Sequence, residues 1–247
     1  MGATIRAFGT AAAMALVVAL STACGEPAAA GKPAALTAAA TPAQVLGTRT
    51  GTTFDGEPVT AAEVLRAAAT VRAEVVSEFS GYGVPLGPGF WDTRHGGVTA
   101  GDRLRQRAVG AAVLDKARRI WAREEGLLAD VSETGFQREL AAENRRRAEA
   151  AAAGRPMPGV PSYDQYTYAQ VRAAELDSAL SKRYAAHLDL SDRRLREQYK
   201  RMAGTDAPPF TRVRENVRQA LILEEYTRAL RKRAGFDQVR EARTIVS

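Results

Sequence analysis

Side chains that readily do chemistry are scarce in this chain. There is one cysteine, Cys24, and there are two histidines, His95 and His187. A thiol activated by an imidazole is a nucleophile, but Cys24 stands far in sequence from both histidines, in an Ala- and Pro-rich stretch. No HExxH, GxSxG, Walker-type glycine loop or CxxC pair occurs. His95 lies in Arg94-His95-Gly96-Gly97, which reads as a turn rather than a ligand set. His187 closes a helical stretch, where a partial positive charge suits the helix dipole. The carboxylate pairs Glu124-Glu125 and Glu224-Glu225 sit among arginines and read as solvated faces with i,i+4 pairing, not as acid/base dyads. Arg145-Arg146-Arg147 reads as an exposed, solubilising or surface-attracting helix end. No catalytic residue, metal site or cofactor is expected.

Two features remain. The first is Cys24 itself. Arg6 and the ten apolar residues Ala11 to Leu20 precede it. That run is too short for a membrane span of about 20 residues and fits the 7–15 or so residues of an export-signal core. Ser21 and Ala23 give the small-x-small pattern of a cleavage site. Residues 1–23 resemble a bacterial lipoprotein signal, which implies lipidation of Cys24. Ser21 stands where such signals usually carry Leu, Val or Ile, so cleavage after Ala23 with plain secretion, and an uncleaved anchor, are the alternatives. The expected address is the extracytoplasmic face of the cell membrane, lipid-anchored.

The second feature is a set of aromatics in or beside Pro/Gly-rich loops: Phe90, Trp91, Tyr163, Tyr166 and Tyr168. Loop aromatics either pack back onto a core or line a groove for apolar segments of another protein, where rigid rings give contact area at low entropy cost. These five are the candidate client-binding residues.

The elements that must position them follow from periodicity and caps. Residues 24–43 are mostly Ala, Pro, Thr and Gly and read as a disordered tether, spanning about 25 Å root-mean-square as a coil. The domain is expected over 44–247. Gln44 to Thr53 is a candidate strand, Asp55-Gly56 a turn, and Thr60 with Glu63 a capping box. A helix then runs to about Phe79, followed by a loop from Gly81 to Gly97. Leu104, Ala108, Ala111, Leu114, Ala117 and Trp121 mark one buried face of a long helix ending at Gly126. Asp130 with Glu133 opens another helix, whose end from Glu143 to Ala153 is polar or Ala-only and is expected in solvent. Gly154 to Pro161 is loop. Helices are predicted from the tyrosine cluster to about Leu188, from Ser191 through Tyr199, and from Thr211 to about Arg233. Arg243 to Val246 could add a strand. The fold class is mainly α, with two or three short β-strands pairing near the chain ends.

Of the 247 residues about 200 remain after leader and tether, enough for one core. The net charge is +7, and +6 without Arg6. On an exported protein the counter-charges expected are anionic lipid head groups or wall polymers, not nucleic acid. A single cysteine excludes an intrachain disulfide, so packing alone holds the domain.

Phe54-Asp55-Gly56-Glu57-Pro58-Val59-Thr60, followed by Glu63-Val64-Leu65, resembles the opening strand-turn-helix of the chaperone domain of the SurA/PrsA foldases. Leu188 to Met202 is similar to the segment that leads into that family's isomerase domain, and Phe210 to Ala234 to the long helix that closes the chaperone core after it. Members with prolyl isomerase activity insert a parvulin domain between those two segments. Here only Ala203 to Pro209 lies there. The resemblance implies a SurA-N-like helical chaperone domain without the isomerase: a membrane-tethered protein that holds unfolded or assembling secreted polypeptides. A prolyl isomerase and an interaction lipoprotein dedicated to one envelope partner are the alternatives.

Overall fold

The computed structural model describes residues 35–47, 51–204 and 207–236. Cys24, the leader, residues 24–34 of the tether and the tail strand at 243–246 lie outside the described residues.

The described chain is mainly helical, with two small antiparallel strand pairs. Order begins earlier than expected. Residues 35–43, expected in the tether, belong to the domain: Ala38 and Ala40 are buried. Trp91 Nε1 donates to the Thr37 carbonyl at 2.8 Å, and Arg72 donates to the carbonyls of Ala38 and Ala40. The candidate strand Gln44–Thr53 is corrected in part: residues 44–46 are helical, 48–50 lie outside the described residues, and Thr52 and Thr53 are strand as expected. Helix α1 spans Pro42–Leu46, with Thr41 and Gln44 forming a reciprocal capping box and Pro42 opening it.

Strands β1 (Thr52–Phe54) and β2 (Glu57–Val59) form a hairpin. Its turn holds Asp55 at φ 49° and Gly56 at φ 75°, the left-handed pair that a two-residue hairpin loop requires. Thr60 and Glu63 then cap α2 (Ala61–Gly81), as predicted. A 3-10 turn at Phe90–Asp92 and a second hairpin, β3 (Arg94–His95) with β4 (Val98–Thr99), occupy the segment expected to be loop. Thr99 caps α3 (Ala100–Glu124), the longest helix among the described residues. Then follow α4 (Glu133–Ala152), α5 (Gln165–Ala185), α6 (Asp192–Met202) and α7 (Phe210–Arg233). The cap of α4 is Ser132 rather than Asp130; the Asp130 carboxylate instead accepts from the Ser132 N–H. Both strand pairs among the described residues are local hairpins.

Packing divides into three clusters. Val64, Ala68, Val75 and Phe79 of α2 meet Leu104 and Ala108 of α3 in the first. Alanines at these helix-spaced positions let the two axes approach. The second gathers Ile120 and Trp121 of α3, Leu176 and Leu180 of α5, and Tyr226 and Leu230 of α7. A third, smaller cluster is built by α6 and α7 around Leu195, Phe210, Val217 and Leu221. Helix α7 therefore serves two clusters, its first half packing with α6 and its second half with α3 and α5.

The end of α4 departs from expectation. Arg147 and Ala150 are buried. The following loop folds back, and the Arg147 guanidinium donates to the carbonyls of Pro158 (3.0 Å) and Val160 (2.7 Å). An arginine that satisfies that many loop acceptors can be buried without an orphaned charge. The triple Arg145-Arg146-Arg147 is thus not one exposed patch.

Candidate functional site

The five candidate aromatics do not meet in one groove. Phe90 and Trp91 are core residues, 0% and 2% exposed. The 3-10 turn tucks them edge to face, 5.0 Å apart, with Phe90 also edge-on to Phe79 at 6.4 Å. Tyr168 is buried against Phe136 at 5.5 Å. Burial pushes its hydroxyl up to about 12. Tyr163 is half-buried under Arg147, whose guanidinium lies 3.9 Å from the ring centroid and donates to the hydroxyl at 2.6 Å. Of the five, Tyr166 alone is exposed, at 40%. The reading of Phe90, Trp91 and Tyr168 as client-binding residues is corrected: their rings are already spent on packing.

Tyr166 opens onto a cleft between α2, α3 and α5, with a volume of about 230 Å³. Ala67, Ala111, Ala112, Leu114, Ala169 and Ala173 make its apolar lining. Ligand pockets usually hold about 300–1,000 Å³, so this space is smaller than most. It exists because all three helices present alanine where they face one another. Their methyls leave the space between the three helices unfilled, and Tyr166, at the first turn of α5, lines it.

The rim is charged with both signs: Glu63, Arg66, Asp115 and Arg118. Each is held in place. Lys116, 1% exposed, sits 2.7 Å from Glu63 Oε1 and donates to the Val131 carbonyl at 2.9 Å. The other Glu63 oxygen accepts the Thr60 N–H of the capping box at 2.6 Å. Arg66 grips Glu133 with both terminal nitrogens, at 2.7 and 2.5 Å, and lies 4.1 Å from the centroid of the Phe136 ring. Such a bidentate fork fixes the rotamers of both partners. Burial pushes Glu133 up, but hydrogen bonds from Arg66 and Gln137 and the charges of Arg66 and Lys116 outweigh it and hold the carboxyl below its usual value. Arg118 donates to Asp177 at 2.7 Å and to Asp115 at 2.6 Å. Burial opposes its charge, yet the two carboxylates hold it above its ordinary value. Asp177 also accepts a short hydrogen bond from the Tyr226 hydroxyl, and burial together with that bond pushes the tyrosine up. Arg118, and Asp115 through it, is thereby tied to α5 and α7, so α5 cannot slide without breaking pairs.

The cleft's carboxylates are all committed to cations, and no histidine or cysteine enters it. Among the described residues no group of three or more His, Cys, Asp or Glu could hold a metal ion. His95 stacks on Tyr82 at 3.9 Å, beside a larger and more polar depression of about 880 Å³ that includes Glu74, Glu78, Arg103 and Arg107. Those four are paired with one another across α2 and α3. His187 is exposed at the end of α5. Glu124 and Glu125 pair with Arg233 and Arg183 across elements, while Glu224 pairs with Arg228 one turn on.

Sequence reasoning misses Lys116, Arg119 and the role of Glu63 beyond its cap. One signal is present. Lys116 lies on α3 one residue from Ala117, inside the stretch that has to be buried, and a buried lysine demands a carboxylate.

No protein-family model matches the sequence. Neither curated proteins nor solved structures give a match.

Proposed function

We propose that this chain is an exported, lipid-anchored binding protein whose helical domain holds apolar side chains of unfolded or assembling secreted polypeptides and makes no covalent bond. The observation that supports it is the alanine-lined cleft between α2, α3 and α5, with exposed Tyr166 at its mouth. Burying a client's aliphatic side chain there removes apolar surface from water, at about 25 cal/mol per Å². The cleft is small, so each engagement is weak and reversible, which is what a holding factor needs. The order of elements supports the same reading. The β1–β2 hairpin and capped α2 stand where the SurA/PrsA resemblance puts its opening motif. Helices α6 and α7 are joined directly through residues 203–209, where isomerase-bearing members insert a domain. Cys24 is the proposed acyl acceptor.

A second reading is favoured by one observation. The cleft is small and its rim carries fixed charges of both signs. That suits one short motif of a dedicated partner better than a spread of clients.

The test fills the cleft. Ala173→Phe projects a ring into it from α5. The native protein is expected to slow aggregation of a reduced secreted client, and Ala173→Phe to lose most of that effect while unfolding at a similar denaturant concentration. Unchanged protection by the variant overturns the site. A pull-down that recovers one stoichiometric partner, with no protection of other clients, selects the second reading.

A further inference from the structure

Because the domain begins by residue 35, its link to the proposed anchor is short. Only residues 25–34 separate Cys24 from Ala35, the first described residue. The steps from residue 24 to residue 35 reach at most about 40 Å when fully extended. That is roughly the width of a domain of about 200 residues, whose radius of gyration is about 16 Å. An acyl group on Cys24 therefore keeps the surface around Ala35 nearest the bilayer, with the opposite side a domain's width further off.

The two segments that build that surface carry no charge. Residues 35–47 and 79–91 contain no Asp, Glu, Lys or Arg, in a chain of which 26% is charged. They pair through their backbones: the Ala38 N–H donates to the Leu86 carbonyl and the Gly89 N–H to the Leu36 carbonyl, both at 3.0 Å. Arg72 of α2 reaches the first segment, and its guanidinium is occupied by the Ala38 and Ala40 carbonyls. Buried Val84 and Phe90 pin the two ends of the loop between them, while Leu86 stands out at 53% exposed, with Pro85 and Pro88 exposed beside it. The loop asks little of water. Pro85 and Pro88 have no N–H, and the N–H groups of Gly83, Val84, Gly89 and Phe90 are bonded within the protein. An uncharged loop with few free donors and a protruding leucine suits the boundary between head groups and acyl chains. A soluble partner would also bury Leu86. The bilayer is selected because the anchored link ends directly beside that side chain's backbone, at residues 35–38.

We propose, resting on the lipid-anchored address of the proposed function but not on the peptide-binding cleft, that the loop 83–89 docks on the bilayer that holds the anchor, with Leu86 inserted among the lipids. The anchor makes this docking intramolecular. Short links give effective concentrations in the mM range, so one inserted leucine biases the domain toward contact where a free domain would stay in solution.

The experiment uses the full chain, produced in a bacterium that acylates exported lipoproteins and fed radiolabelled fatty acid to report acylation of Cys24. Benzoylphenylalanine is placed at Leu86 and, in separate variants, at Val160 and Leu223, which are 47% and 58% exposed and lie outside both uncharged segments. Isolated membranes are irradiated, and phospholipid adducts of the chain are quantified by mass spectrometry. Position 86 is expected to give at least about fivefold more phospholipid adduct than either comparison position. With the photo-reactive residue moved to Pro88, Leu86→Asp is expected to remove most of the adduct. That variant should unfold at the native denaturant midpoint, because the leucine side chain is half exposed and the bond to Ala38 is made by the backbone. Acyl label with equal adducts at 86, 160 and 223 overturns the docking and leaves the anchored address standing. So do adducts at Pro88 that survive Leu86→Asp, and adducts of position 86 to protein in place of lipid. A chain without acyl label overturns the address, and the docking with it. None of these outcomes touches the aggregation assay that tests the cleft.

Discussion

Two regions of this molecule use the same chemistry, arginine and lysine against carboxylates, to opposite ends. Around the α2–α3–α5 cleft the pairs made by Lys116 and Arg66 are largely buried. Lys116 is 1% exposed, and the Arg66 side chain that grips Glu133 is 9% exposed. On α6 and α7 the pairs lie in water, as in Arg214 with Asp192 and Arg218 with Glu215. Burial changes what a pair is worth. A buried charge has already given up its hydration, so losing the partner leaves it uncompensated. An exposed pair exchanges one solvated state for another and contributes about 0–1 kcal/mol. The buried set acts as a rigid frame around the cleft. The exposed set leaves a surface with charge to spare.

The comparison breaks most sharply at Lys116. Lys116→Met strands the Glu63 carboxylate in the core, and is expected to cost about 3–5 kcal/mol in urea unfolding. Adding Glu63→Gln removes the stranded charge and keeps a side chain able to close the capping box, so the double variant should recover most of that loss. If the single variant costs under about 1 kcal/mol, Lys116 is no better than a surface lysine, and the contrast between the regions collapses.

Glu133→Gln comes next. It weakens the fork to Arg66 and should cost about 1.5–3 kcal/mol at pH 7. Its pH dependence carries a sign. The folded carboxyl sits below its usual value, so its contribution is complete above the unfolded value, near 4.5, and is lost as pH falls through the folded value. The native chain should therefore lose more stability than Glu133→Gln between about pH 4.5 and pH 2. Parallel acid profiles would remove Glu133 from the frame.

The smallest effect belongs to the exposed set. Arg214→Ala, which breaks the pair with Asp192 at 2.8 Å, should change stability by less than about 1 kcal/mol, and by less still at 0.5 M salt. A loss as large as that of Lys116→Met would mean that α6 is held by charge rather than by Leu195 in its apolar cluster.

Much of the frame is legible in the sequence itself. Thr60 with Glu63, Thr99, Gly126 and Ser191 mark helix ends because their side chains or backbone answer local needs that sequence displays. Helix α1 hides behind short length, although Thr41-Pro42 with Gln44 is the same capping chemistry. The burial of Phe90 and Trp91 is not legible, because it depends on a 3-10 turn docking under residues 36–38, and that docking is tertiary. The tyrosines are partly legible. Tyr166 and Tyr168 lie two apart at the start of α5, and residues two apart on a helix face different ways. One has to be inside if the other is out. Lys116 is the hardest, since a lysine in a long helix looks solvated until its carboxylate arrives from another element. The cleft is an absence of bulk between three helices, and no local pattern displays an absence.

Photo-cross-linking tests the central claim most directly. Benzoylphenylalanine is placed at Tyr166, at the mouth of the cleft, and in a separate variant at Tyr82, which is 50% exposed and lies outside the cleft. Each is irradiated with a reduced, unfolded secreted polypeptide. Cross-links are expected at position 166, competed away by excess unlabelled client, with few at position 82. Equal yields at the two positions, or none at 166, would contradict the account.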